Sequence, residues 1–141
     1  MSLNNLETVK KYFKYCVDGK DADRVKEYFD KDVIIHRPDC DAPIHGVENF
    51  KNALLEHVIN RYESIVTTFS KEVITEDVVV VHLKHVARGS NTWHGFDVHG
   101  KDVTWTALTY FRFNAEGKVV EEIVERNELF MAKQVGIIDY Q

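Results

Sequence analysis

Apolar positions in the first sixty residues recur at helical spacing, whereas those of the second half alternate two by two. Leu6, Val9, Phe13, Cys16 and Val17 form one helical stripe, with Tyr12 beside it. Asp18-Gly19 should end that helix, with Gly19 taking a left-handed cap. Ala22, Val25 and Phe29 mark a short second helix over about residues 21–29, which Asp21 can cap. Phe50, Leu54 and Val58 mark a third over about residues 47–60. Between the second and third, Val33-Ile34-Ile35-His36 reads as a strand stopped by Pro38, which pushes Arg37 to an extended conformation. Residues 39–46 read as a loop.

Four strands are expected in the remainder, over residues 64–75, 78–86, 103–113 and about 118–129. The last two are rich in β-branched and aromatic side chains and are joined by Asn114-Ala115-Glu116-Gly117, a sequence that tolerates a tight hairpin. The glycine-bearing stretch 88–101 reads as an extended, bulged hairpin loop, and residues 130–141 as a short tail. Helices first and strands last argue an α+β fold rather than an alternating parallel one. Long antiparallel strands curl because they twist. Three helices from the N-terminal half, laid across the concave side, then leave a cone-shaped α+β barrel with a pocket.

Composition narrows the partners. The chain has 141 residues and a net charge of −5, which fits one domain over 1–141 and argues against nucleic acid. No apolar run reaches the length of a membrane span, and the first residues lack the apolar core of a secretory signal. Cys16 and Cys40 are too few and too far apart for a disulfide framework or zinc knuckle, so the cytoplasm is the expected compartment. His82 and His85 fall on opposite strand faces, and no carboxylate stands at ligand spacing from His94 and His99; no metal is expected.

Phe111-Arg112-Phe113-Asn114 with Gly117-Lys118-Val119-Val120 resembles the final hairpin of ketosteroid isomerase. The order Gly95-Phe96, His99-Gly100-Lys101, Arg112, Gly117-Lys118-Val119-Val120-Glu121 and Gln134-Val135-Gly136 resembles the SnoaL-like polyketide cyclases. That group belongs to the nuclear-transport-factor-2-like superfamily, of which ketosteroid isomerase is a more distant member. His36-Arg37-Pro38 is similar to the His-Asp-Pro that ends the first strand in the group. The resemblance implies a cofactor-free enzyme that moves protons on a carbonyl or enolisable small molecule, and a homodimer formed through the convex sheet face, with His82, Lys84 and Tyr110 at or near it. It also implies where acids should stand, and this chain departs from the pattern. Arg37 and Thr109 occupy the isomerase's two aspartate positions, and Val124 or Asn127 the cyclase base position. Of the isomerase set the tyrosine remains, as Tyr12.

Alternation around Thr109 turns Trp105, Ala107, Phe111 and Phe113 inward, and the same matching turns Val79, Val81, Leu83 and His85 inward. A tight joint sets Thr109 opposite about Glu122 and Trp105 opposite about Arg126. A one-residue slip would put Glu121, Glu125 and Asn127 there instead, and the apolar pattern leaves both registers open. The expected catalytic groups are therefore His85, Glu122 and Tyr12, with Arg37, His36, Trp105, Thr109, Arg126 and Asn127 contacting substrate. A His near a Glu suits acid–base work, and an arginine suits a carboxylate or oxyanion. Two other readings stay open: a non-catalytic ligand-binding or dimerisation domain, and an epoxide or lactone hydrolase using a carboxylate beside an arginine.

Overall fold

The computed structural model describes residues 2–139; Tyr140 and Gln141, the end of the expected tail, lie outside the described residues. Helix α1 (Ser2–Lys11) runs on without a break as a wider π-type turn over Tyr12–Asp18, which buries Tyr12, Phe13, Cys16 and Val17. Its end differs from the expectation. Gly19 keeps a right-handed φ of −81°, and Lys20 takes the left-handed position at 57°. Glycine is needed at 19 for room, because a Cβ there would lie 2.6 Å from the Tyr15 carbonyl oxygen. The second helix is shorter than its periodicity suggests. A 3₁₀ turn (Ala22–Arg24) leads into α2 (Val25–Tyr28), and Asp21 makes no side-chain cap. Phe29 instead starts β1 (Phe29–His36), where its ring meets Tyr12 and Phe50 at 4.8 Å each. Packing of those aromatics overrides the weak helical pattern.

Strand β2 (Ile44–His45) precedes α3 (Val47–Leu54), which also widens into a π-type turn over Leu55–Ile59. Then follow β3 (Ser64–Ile74), β4 (Val78–Arg88), the small hairpin of β5 (Thr92–Trp93) and β6 (Phe96–Asp97), β7 (Val103–Phe113), β8 (Val119–Arg126) and α4 (Glu128–Gln134). His94 and Gly95, both at positive φ, make the two-residue turn of the small hairpin. Helix α4 replaces part of the expected tail, and Asn127 starts it by accepting a hydrogen bond from the Phe130 N–H at 3.2 Å.

The main sheet runs β2-β1-β8-β7-β4-β3. It is antiparallel except where β1 lies parallel to β8, which places the end of the first strand beside the last. All nine side chains expected inward on β4 and β7 are buried. Helices α1 and α3 cover this concave face, so the architecture is the expected α+β cone.

The pairing of β7 with β8 departs from a simple hairpin. Thr109 stands opposite Val124, Ala107 opposite Arg126 and Phe111 opposite Glu122, two residues away from the expected register. Two one-residue shifts add. At the joint Phe113 pairs with Val119 rather than Lys118, and the next pair is Arg112 with Glu121, so Val120 is an extra residue. Val119 and Glu122 are both buried although they stand three positions apart, which regular alternation would put on opposite faces. Without the bulge, the inward set after Val119 would be Glu121, Ile123 and Glu125; with it, the set is Glu122, Val124 and Arg126. Removing the Val120 side chain should be cheap, within about 1 kcal/mol for Val120→Ala, as that side chain is half-buried. Deleting Val120 should also be tolerated, within about 2 kcal/mol, because regular alternation from Val119 then leaves Glu122, Val124 and Arg126 inward. Deleting Ile123 should cost several kcal/mol, because it turns Glu125 inward in place of Val124 and Arg126. Urea melts of the three variants test this; similar midpoints for the two deletions would show that alternation beyond Val119 does not set the face.

Candidate functional site

A cavity opens between the helices and the concave face of the sheet. It holds about 470 Å³ of atom-free space including its mouth, of which about 40 Å³ admits the centre of a water molecule, so it is a narrow slot. Its polar lining is Tyr12, Arg37, His85, Thr109, Glu122 and Arg126, and Phe13 and Trp105 supply aromatic wall. Each comes from a different constraint. Tyr12 lies on the buried stripe of the first helix. His85 and Thr109 follow strand alternation. Arg37 is the first residue past β1, where His36 points outward opposite Ile123, so its neighbour turns inward. Glu122 and Arg126 are inward because of the bulge.

His36 and Asn127, expected to touch substrate, stand elsewhere. The His36 Nε2 meets Glu121 at 3.0 Å, and the Arg112 Nε donates to the other Glu121 oxygen at 3.4 Å, outside the cavity. Asn127 is exposed and its side chain is used to cap α4. Strand alternation accounts for the first and helix capping for the second.

Asp39, read as part of a plain loop, is central to the electrostatics. Arg37 donates to it through two nitrogens, Nε to Oδ1 at 2.9 Å and Nη2 to Oδ2 at 3.1 Å, with both side chains buried. Arg126 approaches the same carboxylate at 3.2 Å and Glu128 at 3.4 Å. Neither of these two contacts is aligned as a hydrogen bond, so the buried Arg126 Nε and Nη2 make none among the described residues. The indole N–H of Trp105 is likewise buried without an acceptor. The sequence signal for Asp39 was present: an acid two residues past an arginine, with Pro38 forcing the turn between them.

Glu122 is 2% exposed and takes no hydrogen bond from any described residue. Burial pushes its carboxyl up to about 7 against the pull of the Arg37 and Arg126 charges. Burial also pushes the His85 imidazole down to about 3, with the Arg126 charge acting the same way. The Tyr12 hydroxyl is raised well above its ordinary range by burial and then by Glu122, so it stays a proton donor. Burial would raise Asp39, but the hydrogen bonds and charge of Arg37 hold it far below the usual carboxylate range. The site thus contains two arginines clamped by an ionised aspartate, a neutral imidazole, a neutral phenol and a glutamic acid poised near neutrality. Among the described residues, no three of His, Cys, Asp and Glu come together as a metal would need.

A cone of curved sheet with helices across its mouth and ionisable groups at its inner wall defines a class of small-molecule pocket proteins. This chain belongs to the SnoaL-like polyketide cyclase family, whose model matches residues 7–135. Among solved structures it is similar in fold to TsrD from Streptomyces laurentii, with 14% identity, 98% of this chain and 99% of that one covered, and a TM-score of 0.83. It is similar also to IdmH from Streptomyces antibioticus, with 20% identity, 94% and 98% coverage and a TM-score of 0.79. A SnoaL-like protein from Jannaschia sp. CCS1 gives 18% identity, 99% and 96% coverage and the same TM-score. No curated protein matches the chain in sequence.

The Glu122 shift has a testable sign. Its folded value near 7 lies above its ordinary 4.5, so its contribution to stability is full below about 4.5 and is lost as pH rises through 7. Between pH 5 and 8, wild type should lose roughly 3 kcal/mol relative to Glu122→Gln. His85 has the opposite slope, so the difference between the two proteins in urea is the quantity to read. Parallel pH profiles would show that Glu122 ionises in the fold as it does in water.

Proposed function

We propose that the protein is a cofactor-free acid–base enzyme of the cyclase or isomerase type, acting on a carbonyl or enolisable small molecule. The observation that carries this reading is Glu122, a carboxyl near neutrality that shares one narrow cavity with a tyrosine hydroxyl and two arginines. A general base works best with a pKa close to the working pH. Glu122 takes a proton from the carbon next to the carbonyl. Tyr12 donates a hydrogen bond to the carbonyl oxygen as negative charge develops there, and the Arg37 and Arg126 charges favour that oxyanion. The protonated Glu122 then returns its proton to the rearranged product, so no external acid or oxidant is consumed. Thr109 and Trp105 shape the wall. The family's base position, matched here by Val124 or Asn127, carries no acid; Glu122, two residues before Val124 on the same face, takes that work.

Family membership supports a small-molecule ligand. The neighbours IdmH and AclR carry the provisional labels polyketide cyclase and hydroxylase. Lactone or epoxide hydrolysis would use the same carboxylate to activate a water held beside the substrate, and a slot this narrow favours direct proton transfer from carbon. No helix among the described residues is long and apolar enough to cross a membrane. The proposed form is a single-domain cytoplasmic homodimer. Val66, Val73 and Leu108 stand more than half exposed on the outer sheet face, an apolar patch that a second copy would cover. Light scattering at micromolar concentration should give twice the chain mass and Leu108→Glu a monomer; a monomeric wild type would remove the dimer from the proposal.

A direct test uses a small 1,3-diketone in D2O, with proton loss at the central carbon followed by NMR. Wild type should accelerate the exchange above buffer, and Glu122→Gln should remove at least 100-fold of it. Tyr12→Phe should lose roughly 10- to 100-fold. A diketone that raises the melting temperature but exchanges at the buffer rate would favour the non-catalytic binding domain.

A further inference from the structure

His85 is joined to a carboxylate outside the cavity through one hydroxyl. Thr67 lies directly opposite His85 on the neighbouring strand, and its Oγ1 is 2.8 Å from the His85 Nδ1. The same Oγ1 is 2.7 Å from the Asp18 Oδ1, and the Thr67 backbone N–H donates to the Asp18 Oδ2 at 2.8 Å. Asp18 is the last residue of the π-type turn, at the negative end of the first helix, where a carboxylate is electrostatically disfavoured. It is also half-buried. Two short hydrogen bonds from one threonine offset those costs, and they impose a direction on the chain of bonds.

A threonine hydroxyl has one proton, and an ionised carboxylate can only accept. The Thr67 proton therefore goes to Asp18, and the oxygen lone pair that remains must accept from His85. That fixes the imidazole proton on Nδ1 and leaves Nε2 with a bare lone pair. The ring cannot turn to exchange the two nitrogens easily, since Phe13 and Trp105 hold it from both sides at centroid distances of 5.8 and 5.0 Å. Nε2 has no partner among the described residues, and His85 lines the cavity.

We infer that Asp18 and Thr67 are positioning residues that hold His85 as the Nδ1–H tautomer, so that Nε2 is an obligate hydrogen-bond acceptor for a hydroxyl of the substrate. The role in binding rests on the acid–base reading above, and it narrows the substrate class: a carbonyl compound that also carries an alcohol, enol or phenol O–H on the His85 side. An acceptor that cannot donate disfavours a second carbonyl there, because two lone pairs would face each other unpaired.

The tautomer is read directly by two-bond ¹H–¹⁵N correlation of the imidazole in uniformly labelled, ligand-free protein at pH 7. Wild type should show Nδ1 in the N–H range and Nε2 in the unprotonated range, the reverse of the tautomer that a free histidine side chain prefers in water. Thr67→Val removes the acceptor and Asp18→Ala frees the Thr67 proton to point at Nδ1; each should move the ring proton to Nε2. Thr67→Ser should restore the wild-type pattern. An Nε2–H tautomer in wild type, or an unchanged tautomer in folded Thr67→Val, overturns the inference. The measurement needs no ligand, so its failure is distinct from a failure of deuterium exchange, which would strike the enzymatic reading alone. Should a variant not fold, the wild-type tautomer still decides.

Discussion

Side chains on a strand alternate between two faces, and whatever interrupts the alternation reassigns every residue beyond it. In this protein the interruption is Val120. Five residues later the strand ends at Glu125-Arg126, so one inserted position determines the whole inner face of β8. The consequence is chemical as well as geometric. The displaced set would bring Glu121 and Glu125 into the cone and turn Arg126 out of it. The observed set brings one carboxyl and one guanidinium, next to a β1 end that supplies the second guanidinium. The bulge, the parallel β1–β8 pairing and the inward turn of Arg37 all act on the same corner of the cavity.

That corner also explains how Glu122 stays protonated near neutrality with two arginines in its cavity. An unpaired arginine would pull a carboxyl's pKa down strongly. Here Arg37 is engaged by Asp39 through two hydrogen bonds, and Arg126 lies against Asp39 and Glu128. Their charge is largely balanced before Glu122 meets it, and desolvation of the carboxyl dominates. A buried carboxylate paired with arginine is costly to break on one side only, because it strands the other charge. Asp39 therefore holds both guanidinium groups in place without standing in the cavity lining.

Much of this was legible in the sequence, and the failures are informative. The α+β cone, the inward faces of β4 and β7 and four of the cavity's polar groups, Tyr12, Arg37, His85 and Thr109, follow from periodicity and from the family resemblance. The register of β7 with β8 does not: the expected pairing is two residues out, and Glu122 comes out inward only because the joint and the bulge each contribute one shift. No local pattern marks Val120, since Val, Val and Glu on either side fit both registers. Helix α4 is hidden because its cap, Asn127, also continues the strand pattern. Asp39 has a local signal in Arg37-Pro38-Asp39, whereas Asp18 and Thr67 are invisible for a different reason. Their meaning lies in contacts between residues distant in sequence, such as the 49 positions separating Asp18 from Thr67.

The two proton-handling ends of the cavity are built on opposite logic. Glu122 is raised toward neutrality by burial, so it can gain and lose a proton within the working range. His85 is lowered toward 3 and locked by Thr67 into one tautomer, so it can do neither readily and serves as a fixed acceptor. Environments that push two titratable groups apart are how one site assigns separate roles to them. With Tyr12 as a fixed donor, the lining contains one donor, one acceptor and one group that alternates. Such a set orients a substrate by its hydroxyl and its carbonyl and leaves the carbon between them to the glutamate, which is the arrangement that proton transfer within an enolisable compound requires.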